Sequence, residues 1–205
     1  MFFHHYNKIF DFLFPRYTWR KKCKSVYLTF DDGPVPEATL EVLDILKQYG
    51  IKATFFCVGE NIKNNRVVFE RIIEEGHSVG NHTYNHLNGK DTNKENYINN
   101  IKECQRVFKE CKVNTSLFRP PHGRMTIGQR KALAKEYEII MWSVLSGDFS
   151  KSVSPEVCLE KALSHTKEGS IVLFHDSVKT IDKVREVLPK YIVGVQAKGL
   201  NFKCL

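Results

Sequence analysis

Nothing in these 205 residues approaches the ~20 consecutive apolar residues that a bilayer-spanning helix needs. Even the oiliest stretch, Phe2 to Phe14, is interrupted by His4, His5, Asn7, Lys8 and Asp11. The N-terminus also lacks the ordered positive start, uninterrupted apolar run and small-residue cleavage site of a secretion signal. The mature chain is therefore expected to begin near Met1 and to be cytoplasmic or peripheral to the inner membrane. No CxxC pair occurs. Cys23, Cys57, Cys104, Cys111, Cys158 and Cys204 are scattered through a chain too long to need stapling, which argues against a disulfide scaffold and for a reducing compartment. Of these, Cys57, Cys104 and Cys158 fall on apolar positions and read as small core residues. There is no zinc-finger spacing, RNP-like aromatic motif or basic-plus-heptad region, so no nucleic-acid partner is expected. The 31 Lys and Arg against 23 Asp and Glu, a net +8, point instead to acidic partners such as anionic lipid or anionic glycan. What is present is globular: 42% hydrophobic and 26% charged residues in a length suited to one domain.

From Val26 onward, short β-branched or apolar runs alternate with helical patterns, the mark of βα repetition. Strands are expected near 26–30, 53–58, 78–80, 117–118, 139–142, 170–174 and 200–203. Helices are expected from Pro36 to a stop at Gly50 and through Val68, Phe69, Ile72 and Ile73 to Gly76. A third opens on a capping box of Thr92 with Glu95. Others span about 126–136, from Ser154-Pro155 to Gly169, and about 180–191. No repeat or linker divides the chain. Such an order allows an open doubly wound sheet or a closed barrel, and either places its chemistry at the C-terminal ends of the strands.

The polar residues collect there. The first strand runs into Asp31-Asp32-Gly33-Pro34, where two adjacent carboxylates repel each other more than a simple turn requires. The third is followed by Asn81-His82-Thr83-Tyr84-Asn85-His86, whose imidazoles share one face if the segment is helical. A His-x3-His pair with an acidic residue is a common way to supply three metal ligands while leaving positions open for water. Arg119-Pro120-Pro121-His122-Gly123, Ser146-Gly147-Asp148-Phe149 and Leu173-Phe174-His175-Asp176 complete the set. One such residue can be a solvated loop residue; five strand ends on one rim are hard to place as coincidence.

These five motifs in this order resemble the polysaccharide deacetylases with a NodB homology domain, carbohydrate esterase family 4, over about Ser25 to Leu205. The resemblance implies a distorted (β/α)7 barrel holding one divalent metal, with zinc first and cobalt, nickel or manganese as alternatives, and removing acetyl groups from N-acetylated glycans. Residue by residue it implies Asp32, His82 and His86 as metal ligands and Asp31 as general base, with Arg119 beside it. It further implies His175 as general acid oriented by Asp148, and the His122 backbone N–H as oxyanion donor. Pro120, Pro121, Phe149 and Leu173 would line the acetyl pocket. The family more often has Tyr at the position of His122 and Trp at that of Phe149, which leaves the local packing and pH profile open but touches no ligand, base or acid. His77, His165, His4 and His5 are read as structural or surface residues.

Residues 1–24 read as an arm attached to a domain of residues 25–205. Phe2, Tyr6, Ile9, Phe10 and Leu13 recur at helical spacing ahead of Arg16, Arg20, Lys21, Lys22 and Lys24, suggesting either an interfacial helix against anionic lipid or an arm packed under the barrel. A monomer acting on peptidoglycan-like or chitooligosaccharide-like substrates is expected. The alternatives are a deacylase of lipid-linked or nucleotide-linked amino sugars and a catalytically weak glycan-binding domain. A non-haem iron oxygenase shares the ligand types, but usually draws them from a sheet-rich double-stranded barrel with His-x-Asp/Glu order.

Overall fold

The computed structural model describes residues 14–205. Among them run β1 (Tyr17–Thr18), β2 (Ser25–Asp31), α1 (Pro36–Gln48), β3 (Thr54–Cys57), α2 (Gly59–Asn64), α3 (Arg66–Glu74) and β4 (Ser78–Asn81). There follow α4 (Lys94–Glu110), β5 (Leu117–Phe118), α5 (Ile127–Leu133), β6 (Glu138–Ile140), β7 (Val144–Leu145), α6 (Pro155–His165), β8 (Ile171–His175), α7 (Ile181–Ala197) and β9 (Asn201–Phe202). The strands pair in parallel in the order β1-β6-β5-β4-β3-β2-β8-β7, and β9 adds to the start of β2. Strands β2 to β8 make the distorted (β/α)7 barrel. The distortion lies where β6 passes into β7 through residues 141–143 with no helix between them: one nearly continuous strand pairs first with β5 and then with β8.

Strand periodicity sorts the side chains. Val26, Leu28 and Phe30 of β2 join Phe55 of β3 and Val172 and Phe174 of β8 in the core beneath the helices, with α1 and α7 supplying Val42, Leu46, Val184, Leu188 and Ile192. The alternate positions face the lumen: Tyr27, Phe56 and Ile171 pack together at the lower end. By the same alternation Thr29 and Asp31 turn inward, and the register sets Asp31 opposite His175 and Thr29 opposite Leu173. Gly80 lacks a side chain for a local reason, since a Cβ there would meet the Phe56 ring at 2.4 Å.

Several expectations change in detail. The helix expected to open on Thr92 and Glu95 is capped one residue later: Asn93 accepts the Asn96 N–H, while the Thr92 hydroxyl donates to the Asn88 carbonyl. The Thr126–Gln129 capping box of α5 is present instead, unforeseen because its apolar periodicity is short. Helix α7 continues through Pro189 to Ala197, well past Tyr191. Strands β1 and β7 are too short to show a period. Cys57, Cys104 and Cys158 are buried and all six cysteines are free. His77 is structural, its Nδ1 accepting the Ala53 N–H at 3.1 Å.

The arm joins the barrel before residue 25. Strand β1 pairs with β6, Arg20 bridges to Ser170 and donates to the Glu168 carbonyl, and Lys21 binds Glu138. Phe14, Tyr17 and Trp19 form an aromatic cluster with the Arg130 guanidinium over Phe14 and Tyr17. Phe2, Tyr6, Ile9, Phe10 and Leu13 lie outside the described residues.

Candidate active site

The C-terminal ends of the strands open into a cleft of about 1090 Å³. Asp31, Asp32, His82, His86, His122, Phe149, Leu173 and His175 line it. Arg119, Asp148, Pro120 and Pro121 are buried and lie outside its lining, so the two prolines shape the wall from behind, leaving its surface to His122, Arg124 and Trp142.

Asp32 leaves β2 in the left-handed region, φ 85, which puts its side chain on a different side from that of Asp31. Both flanks of this turn are held. The Asn61 amide donates to the Asp32 carbonyl at 2.7 Å. Asp176, just past β8, accepts the Gly33 N–H at 3.1 Å and the Thr39 hydroxyl at 2.6 Å. A Cβ on Gly33 would sit 1.9 Å from an Asp176 carboxylate oxygen, so only glycine fits. Burial pushes Asp176 up to about 8, against the pull of those two donors.

The His82–His86 segment is not helical. Thr83 and His86 take positive φ values of 66 and 57, and the loop is tied down by the Asn81 carboxamide oxygen on the Thr83 N–H and by the Thr83 hydroxyl on the Leu87 N–H. Loop geometry thus does what helical spacing was expected to do. His86 Nε2 lies 3.1 Å, and His82 Nε2 3.7 Å, from Asp32 Oδ1. Ligand atoms of Asp32, His82 and His86 fall within 4.8 Å of one another. His82 Nδ1 is 2.8 Å from the Arg119 carbonyl, to which it donates, leaving the Nε2 lone pair for the cluster. Burial holds His82 neutral, down to about 4. Burial opposes ionisation of Asp32, yet the His86 hydrogen bond and the surrounding imidazoles keep its carboxyl well below the usual range. A carboxylate beside two imidazole nitrogens is the donor set a divalent metal accepts.

Arg119 fills the upper lumen, fully buried, with its guanidinium 4.0 Å over the Phe56 ring. It donates to Asp31 Oδ1 at 2.7 Å, to the Thr29 hydroxyl at 2.8 Å and to the Ile140 and Met141 carbonyls. A buried cation so satisfied leaves Asp31 with one oxygen bound and the other, Oδ2, 3.8 Å from His82 Nε2.

Asp148 is buried at 2% exposure and accepts from the Ser146 hydroxyl, the Phe149 N–H, the His175 N–H and His175 Nδ1. Burial works against a charged His175, but the Asp148 charge and hydrogen bond outweigh it, with Asp32 and Asp31 adding to them, and the imidazole is pushed up to about 9. His122 has φ 58 and its ring meets His86 edge-on at 4.7 Å; burial, with His86 next, lowers its pKa. The Phe149 ring lies edge-on to His175 at 5.4 Å.

Sequence reading passed over Asp176, Asn61, Trp142 and Trp19. Asp176 stands in the quoted Leu173–Asp176 motif, but its partners Gly33 and Thr39 are far away in sequence. Trp142 packs on Gly123, where a Cβ would meet its ring at 2.6 Å, and Trp19 reaches the cleft from the N-terminal arm, a strap that pairs with β6 outside the βα pattern.

Asp31 and His175 thus face each other in the lumen beside a two-imidazole, one-carboxylate cluster, groups of the kinds that hydrolytic sites employ. Comparison with known proteins agrees. A family model described as Polysaccharide deacetylase matches residues 19–139, and the chain belongs to that family, as a carbohydrate N-deacetylase of the hydrolase class. Two peptidoglycan-N-acetylglucosamine deacetylases of Bacillus cereus are 35% and 34% identical to it, over 88% and 87% of this chain. The chain spans 66% of the length of the first and 85% of the second. A crystal structure of a peptidoglycan N-acetylglucosamine deacetylase superimposes with a TM-score of 0.89 at 32% identity, covering 98% of this chain and 95% of that one.

Proposed function

We propose that this protein hydrolyses N-acetyl groups of an amino-sugar polymer of the peptidoglycan type, using water as nucleophile and one divalent metal held by Asp32, His82 and His86. Two imidazoles and a carboxylate suit zinc, with cobalt, nickel and manganese as the other candidates. When bound, such a metal supplies polarisation of the acetyl carbonyl and a lowered pKa for water.

The remaining steps belong to the chain. Asp31 Oδ2, turned toward the ligand cluster while Arg119 occupies Oδ1, takes the proton of the attacking water. The His122 backbone N–H donates to the developing oxyanion. His175 delivers the proton from Nε2 to the departing amine, since Nδ1 is committed to Asp148. Leu173, Phe149 and the wall backed by Pro120 and Pro121 enclose the acetyl methyl.

The observation that carries this reading is the register pairing of Asp31 with His175, which sets base and acid across one layer of the barrel with the ligand cluster beside them. Acetate release from peptidoglycan and chitooligosaccharides by metal-loaded protein tests it. Asp31→Asn is expected to keep the metal while losing about 10²–10⁴ in turnover. An Asp31→Asn protein that lost its metal and recovered full turnover on reloading would transfer the base role elsewhere.

A further inference from the structure

Trp19 stands in the wall of the cleft, and no step of the deacetylase reading uses it. The cleft measures about 1090 Å³, at the top of the roughly 300–1,000 Å³ range of pockets that enclose one drug-sized ligand. It therefore has room for more than the sugar unit being deacetylated. Beyond the groups assigned to the reaction, its lining includes Arg124, Trp142 and Trp19. Both tryptophans of the sequence are thus in the cleft wall.

The strap fixes where the Trp19 ring stands. Strand β1 lies parallel to β6 with Tyr17 opposite Ile139 and Thr18 opposite Ile140, and the Thr18 carbonyl accepts the Met141 N–H at 2.9 Å. Trp19 therefore follows alongside Met141 and Trp142, just past the end of β6. Tyr17 meets the Trp19 ring edge-on, with centroids 5.8 Å apart and 78° between the planes, and Phe14 stacks on Tyr17 at 5.7 Å. The Arg130 guanidinium of α5 lies over both Phe14 and Tyr17. These contacts brace a half-buried indole at the cleft surface.

The chemistry of the ring selects its occupant. A pyranose whose substituents are equatorial, as in a β-linked polymer of N-acetylglucosamine, presents flat faces of C–H bonds ringed by hydroxyls. A planar indole matches such a face, and the Arg124 guanidinium in the same lining offers donors to the hydroxyls. We infer that Trp19 is a sugar-stacking platform, binding a unit of the glycan further along from the one whose acetyl group reaches the Asp32, His82 and His86 cluster. The strap, outside the βα pattern, then completes the polymer site. This rests on the deacetylase reading and deepens it: the substrate is an oligomer or polymer rather than a single sugar or a sugar nucleotide.

Acetate release from chitopentaose and tryptophan emission test the inference. Trp19→Leu keeps apolar bulk without a flat ring and is expected to raise KM about tenfold with little change in kcat, whereas Trp19→Phe stays within about threefold of the parent KM. A side chain that only props the strap is served as well by leucine as by phenylalanine, so equal KM values for the two variants, or a loss carried by kcat, overturn the inference. Emission requires no substitution of Trp19 itself. In Trp142→Phe, Trp19 is the one remaining tryptophan, and chitopentaose is expected to quench its emission saturably, with N-acetylglucosamine at equal concentration having little effect. Emission unmoved by the pentamer over the range that saturates acetate release by the parent, or moved equally by the single sugar, overturns it too. A parent that releases no acetate from any glycan sinks the deacetylase reading itself; an active parent whose Trp19 emission is unmoved sinks only the stacking platform.

Discussion

Replacing Asp148 by Asn tests the proton economy of the site in one step. Asp148 receives four hydrogen bonds, two of them from His175, and is the main reason that a buried imidazole stays cationic with a pKa of about 9. Without that charge, burial is opposed only by Asp32 and Asp31, and the pKa is expected to fall toward the ordinary 6.5. A fall of that size is roughly 3 kcal/mol of preference for the cation. A general acid works below its pKa, so activity is lost as pH rises through that value. The alkaline limb of kcat against pH should therefore lie about two pH units lower in Asp148→Asn than in the parent. At about pH 7.5 the protonated fraction falls from nearly all to about one-tenth, before any loss from misorientation. A bound cation beside Asp32 lowers both limbs without removing their separation. Stability gives a second readout. A histidine whose pKa is raised by folding contributes stability that is fully present below its unfolded value and is lost as pH rises through the folded one. Urea midpoints of the parent should thus decline between about pH 6.5 and 9, and those of Asp148→Asn should not. Coincident alkaline limbs in the two proteins would refute the assignment of His175 as the acid governed by Asp148.

Other outcomes follow from single contacts. His82→Ala and His86→Ala should each abolish near-stoichiometric metal content, measured by elemental analysis, with only modest loss of folding; full occupancy in either would remove that residue from the ligand set. Asp176→Ala strips the acceptor from the Gly33 N–H and the Thr39 hydroxyl, and should cost about 2–4 kcal/mol in urea unfolding and weaken metal binding, whereas unchanged stability would mean the turn holds itself. His122→Tyr and His122→Ala should both keep metal and stay within about tenfold of parent activity, rather than lose the ~10²–10³ of a missing oxyanion donor. A collapse in either, with metal intact, would show that the imidazole itself takes part.

Much of the molecule was legible because the signals are local. Alternation of short apolar runs with amphipathic helices announces a parallel βα architecture, and polar residues placed just after the strands announce the rim where the chemistry gathers. Residues of the five motifs converge in the fold, since Asp31, Asp32, His82, His86, Arg119, Asp148 and His175 lie together at one end of the lumen. What the sequence could not decide is whatever depends on the lumen and on contacts across it. The period of two says that Asp31 points inward; only the register of β2 with β8 says that His175 faces it. His82 and His86 suggested helical spacing, yet two left-handed residues in a loop bring their rings together, a conformation set by the Asn81, Thr83 and Asn100 side chains. A two-residue strand such as β1 has no periodicity to read, so the passage of Trp19 into the cleft emerged only when the strap was seen paired with β6. Asp176 is a polar residue beside His175 in the sequence; that it grips the turn carrying Asp32 is a contact across 143 positions of chain, which only closure of the barrel creates.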